Sequence, residues 1–107
     1  MKAALGSKAT KKPKFNFGRA VTNLKTFEAT AYVLENTGVH AYAGQAFNIK
    51  SPKVLATALS IITIEARHAG SIATITGQKI AIDGPFDTPF TAAKVLAAVA
   101  ATKFIVP

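Results

Sequence analysis

SPKVLATALSIITIEARHAGSIATITG, Ser51 to Gly77, is the stretch on which the fold turns. Ser51 is a suitable N-cap, and Pro52 follows at the first helical position, where a missing N–H costs nothing. Leu55, Leu59 and Ile62, and then His68, Ile72 and Ile75, recur at spacings of 3 or 4. That is the period of one helix face. The β-branched run Ile61–Ile64 suits a strand, but a strand of this length is rare and both ends carry helix signals. Gly77 is the expected stop. The segment therefore predicts a long helix beginning at Pro52.

Working back toward the N-terminus, a first helix runs from about Asn23 or Thr26 to Gln45 or Phe47. Asn23 and Thr26 are both candidate caps, and Glu28 reads as a residue favoured by the positive end of the helix dipole. Gly38 and Gly44 each weaken this helix by about 1 kcal/mol relative to alanine, a cost tolerated where another helix approaches closely. The short connection Asn48–Ser51 makes the two helices antiparallel neighbours. Asp83 to Phe90, DGPFDTPF, is turn chemistry, with Asp83 and Asp87 as turn formers. Thr91 caps a short third helix over Ala92–Ala101, and Phe104–Pro107 is an apolar tail. The fold class is all-α, an antiparallel hairpin plus a short C-terminal helix.

Composition agrees. At 107 residues and 50% hydrophobic, with mean hydropathy +0.28, the chain is one small domain and too apolar for disorder. There is no cysteine, which excludes disulfides and thiolate metal sites. No uninterrupted apolar run reaches the roughly 18 residues of a membrane span, and Met1–Gly6 is too short and weakly apolar for a signal peptide. The formal charge is +8, but 6 of the 13 basic residues fall at or before Arg19. Residues 1–17 are accordingly read as a basic, poorly packed arm or linker, and residues 18–107 as the helical domain. A solvated arm explains that excess better than a nucleic-acid interface, because no RNA-binding signature or helix-turn-helix pattern accompanies it.

The chemistry lies in three residues. Glu65 and His68 form E-x-x-H, about 60° apart on one helix face and one turn from each other. Ile61, Ile64, Ile72 and Ile75 share that face, and a carboxylate set among them needs a cation or a hydrogen-bond partner. Alone, the pair reads as a surface ion pair or as a core histidine with its N–H satisfied. Glu35 changes the balance. It sits on an apolar and aromatic face of the first helix, and both it and Glu65 lie about 14 residues from the turn at 49–51. At about 1.5 Å per residue the two carboxylates reach the same height on the hairpin. His40 lies well around the helix from Glu35 and is read as a surface histidine.

A carboxylate from one helix and Glu-x-x-His from its partner form half of a carboxylate-bridged di-metal site. The segments FEATAYVLENTGVHAYAGQAF, Phe27–Phe47, and VLATALSIITIEARHAGSI, Val54–Ile72, resemble the last two core helices of ferritin-like proteins of the desiccation-related type. PFDTPFTAAKVLAAV resembles the tail that follows them. The resemblance implies half of a ferritin-like four-helix bundle, with Glu35, Glu65 and His68 at metal-ligand positions. It further implies iron, with manganese as the alternative, and Fe(II) oxidation as the conceivable chemistry. Such relatives are often exported. The counterpart of the first two helices is to come from a missing N-terminal half-domain or from a second copy in a homodimer. A metal-free structural or stress-related helical module is the competing expectation.

Overall fold

The computed structural model describes residues 6–107; Met1–Leu5, the beginning of the basic arm, lies outside the described residues. Among these residues three α-helices carry the fold: α1 (Leu24–Gln45), α2 (Pro52–Thr76) and α3 (Ala92–Ala101). Two short strands, β1 (Lys14–Phe15) and β2 (Ile105–Val106), pair antiparallel, with Lys14 opposite Val106 and Phe15 opposite Ile105.

Each helix starts where its cap dictates. Asn23 Oδ1 accepts from both the backbone N–H and the hydroxyl of Thr26, so the two candidate caps act together, Asn23 as the cap and Thr26 as its donor. Ser51 Oγ accepts from Val54 N at 3.4 Å and Thr91 Oγ1 from Lys94 N at 3.3 Å. At its far end α1 tightens into a 3₁₀ turn, Ala46–Asn48, before the chain reverses. Helix α2 stops at Gly77, whose φ of 68° is left-handed and costs a glycine little. Its N–H and that of Gln78 both reach the Ala73 carbonyl. Glu28 falls beyond the first turn of α1, which holds no acid, so the dipole role expected for it is not filled.

Helix α1 is the centre of the molecule. Helix α2 packs along one side of it, and α3 together with the 3₁₀ turn Gly18–Val21 packs on others. Among the described residues the buried apolar ones are Ala20, Val39, Ala58, Ala69 and Ala73, and no large side chain is fully enclosed. Small residues at 58, 69 and 73 line one face of α2 and let the helices approach closely. Large apolar side chains stay in water instead: Phe27, Val54, Leu59, Ile64 and Ile75 are all exposed. Among the described residues no helix is long and apolar enough to cross a membrane.

The last residues of the arm, Lys14–Phe17, meet the C-terminal end of the chain. The rings of Phe15 and Phe17 stack at 5.6 Å, and Phe17 meets Phe104 edge-on at 5.3 Å. The Asn16 N–H donates to the Phe104 carbonyl, so the aromatics hidden among the lysines hold this segment against the C-terminal strand.

Candidate metal centre

The hairpin brings Glu35, Glu65 and His68 together. One ligand atom from each lies within 4.8 Å of those from the other two. His68 Nδ1 stands 3.2 Å from Glu35 Oε2. That geometry fits the tautomer in which Nδ1–H donates to the carboxylate and Nε2 keeps its lone pair. The Glu35 and Glu65 side chains are half-buried, whereas the His68 side chain is 58% exposed. Arg67, between the two α2 residues in sequence, is exposed and lies outside the cluster.

Gly38 makes room for this arrangement. A Cβ at position 38 would stand 3.1 Å from both Cδ and Oε2 of Glu65. The glycine one turn beyond Glu35 thus lets the Glu65 carboxyl lie against the α1 backbone. A hydrogen bond with the Glu35 carboxyl raises the pKa of Glu65 most, followed by burial and then by the Glu35 charge. Against the pull of His68 these take it up to about 7. Glu65 is therefore the member of the cluster most readily protonated. A divalent cation among the three ligand atoms would displace the Glu65 proton and remove the repulsion between the carboxylates. The donor set, two carboxylates and an imidazole, is one that a divalent metal ion can accept. On the same helix as Glu65 and His68, the side chains of Ile64 and Ile75 are exposed.

His40 is not on the surface. It is 3% exposed, with Nδ1 2.8 Å from the Thr88 carbonyl and its ring stacked on Phe90 at 4.2 Å. Its own carbonyl accepts from Phe90 N–H. Asp83 Oδ2 accepts from Thr88 N at 2.8 Å and lies 3.6 Å from His40 Nδ1. The Thr88 bonds hold the Asp83 carboxyl below its ordinary range, with smaller help from His40 and Lys94. Lys94 caps the stack from above, 3.6 Å from the Phe90 ring centre. This second histidine therefore fastens the 83–90 segment to the back of α1. Only the turn-rich text of that segment hinted that something must be held there.

Gly44 belongs to the same seam. A Cβ there would collide with the Phe90 backbone, so the close neighbour that this glycine admits is a loop and not a helix.

Residues 1–78 match the sequence model of the ferritin-like domain family. The chain belongs to that family. The ferritin-like match takes in α1 and α2 whole and ends just past Gly77, so α3 and the 83–90 segment lie beyond the matched residues. No curated protein and no solved structure matches the chain.

Proposed function

We propose that this ferritin-like chain binds a divalent metal, iron or manganese, through Glu35, Glu65 and His68. The observation that carries the reading is the convergence of the three ligand atoms within 4.8 Å at the height where the two helices meet. Glu35 and Glu65 supply the charge, His68 a neutral nitrogen, and Gly38 the space for Glu65. Iron, if bound at these residues, would supply Fe(II)/Fe(III) redox chemistry. The remaining ligands come from a second copy of the hairpin, or from further helices of the same bundle. In a two-fold dimer the residues Glu35, Glu65 and His68 of each copy face their equivalents, and the exposed stripe of Val54, Ile64 and Ile75 becomes buried.

One observation favours a second reading. His68 Nδ1 is already paired with Glu35 Oε2 without a metal, and the neighbouring Glu35 carboxyl favours the protonated form of Glu65. On that basis the chain would be a metal-free helical module, the stress-related role being its functional counterpart.

Metal analysis separates the two. The purified chain is loaded with Fe(II) or Mn(II) without oxygen, desalted and analysed for bound metal, beside Glu65→Ala and Glu35→Ala. Metal-binding function requires stoichiometric metal in the parent and its collapse in both variants. A parent that retains no metal, with variants altered only in thermal stability, establishes the metal-free module.

A further inference from the structure

The back of α1 carries a feature that the metal cluster does not use. An open groove of about 550 Å³ runs between the Gly18–Val21 turn, the first half of α1 and the chain after α3. Phe17, Phe104, Val33 and Leu34 form its apolar walls. Phe17 is 43% and Val33 53% exposed, so apolar surface inside a concave site faces water. Val33 lies about 160° around the α1 axis from Glu35, which puts the groove on the side away from the metal ligands.

Among the described residues two cations, Arg19 and Lys103, line the groove, and no acid does. The ion pairs among the described residues are His40–Asp83 and His68–Glu35, so neither cation is neutralised. Lys103 is also the one non-glycine residue at positive φ among them, 56°. It occupies the place after a helix end where glycine is favoured, so backbone strain is borne at a residue that lines the groove.

We propose that this groove binds a free single-chain fatty carboxylate, its alkyl chain on Phe17, Val33, Leu34 and Phe104 and its carboxylate paired with Arg19 and Lys103. The volume falls within the range of about 300–1,000 Å³ usual for small-molecule sites. A neutral alkyl chain would leave both cations unpaired. A small anion would leave the apolar walls wet. An amphiphilic carboxylate satisfies both, and the planar fork of Arg19 matches its head bidentately.

The test is titration of the full chain with dodecanoate below its micelle concentration, followed by calorimetry and by NMR of methyl and aromatic groups. Expected are saturable one-to-one binding and resonance shifts at Val33, Leu34, Phe17 and Phe104. The double variant Arg19→Gln/Lys103→Gln should bind at least tenfold more weakly, and the parent should bind dodecanol and butyrate at least tenfold more weakly than dodecanoate. Lys103→Gly guards against misfolding as the cause. It removes the charge while relieving the positive φ, so its thermal midpoint should hold or rise as affinity falls. Unchanged affinity in the double variant, dodecanol binding as tightly as dodecanoate, or shifts centred on Ile64 and Ile75 would each overturn the proposal.

Discussion

Gly38 and Glu65 are fitted to each other: the α1 backbone has no side chain where the Glu65 carboxyl lies, and a Cβ there would stand 3.1 Å from its Oε2. Two demands meet at this contact. Helix stability asks for alanine at position 38, and the position of Glu65 asks for glycine.

Gly38→Ala is expected to separate them. The carboxyl is the end of a flexible side chain and can move by a few tenths of an ångström, so the helix gains most of the roughly 1 kcal/mol that alanine offers over glycine. Metal affinity should fall about tenfold as Glu65 is displaced. Denaturant midpoints and metal titration, run on the same preparation, check that the two quantities move in opposite directions.

Gly44→Ala should behave otherwise. Its Cβ meets the Phe90 backbone, which cannot rotate away, so the loop must shift. Overpacking of this kind costs roughly 1–3 kcal/mol, here offset only in part by helix propensity. Equilibrium unfolding should show a net loss for Gly44→Ala beside a net gain for Gly38→Ala; equal effects would contradict the contrast.

The pH dependence follows from Glu65, whose folded pKa of about 7 lies above its ordinary 4.5. Between those values the folded chain holds more protons at this group than the unfolded chain. Stability from this source is thus full below about 4.5 and is lost as the pH rises through about 7, the reverse of an ion-paired carboxylate. Thermal melts of the metal-free protein from pH 4.5 to 8 should fall in midpoint across that window, and Glu65→Gln should flatten the trend. A midpoint rising with pH in the parent and falling in the variant would refute it. Because bound metal must displace the same proton, its apparent affinity should climb over the same interval.

His40→Phe keeps the stacking on Phe90 but leaves the Thr88 carbonyl without its donor. Loss of such a bond in a part-buried place costs about 1–3 kcal/mol. Amide exchange of Thr88 and Phe90 should accelerate well beyond that of α2, and bound metal should be unchanged, since His40 takes no part in the cluster.

The hairpin was legible because its signals are local. Asn23, Ser51, Pro52 and Gly77 each act on their own turn of chain, and equal distances from the 49–51 turn suffice to place Glu35 level with Glu65. What remained hidden depends on partners far along the sequence. Nothing near His40 announces that Thr88 and Phe90 will cover it; helical geometry turned it away from Glu35, and the missing fact was that the back of α1 is also covered. The same blindness hid Phe15 and Phe17, whose partner Phe104 lies at the other end of the chain. Gly44 carried a correct signal, close approach, with the wrong neighbour attached.

The two-residue ladder of Lys14–Phe15 with Ile105–Val106 has a consequence for the order of events in folding. The hairpin forms from contacts near in sequence, whereas the ladder must close almost the whole chain into a ring and bears the largest loop entropy. The strand pair should therefore assemble last and open first. The carboxylate–histidine cluster would then be complete before the groove behind α1 has its far wall, and mild destabilisation would abolish one site while sparing the other.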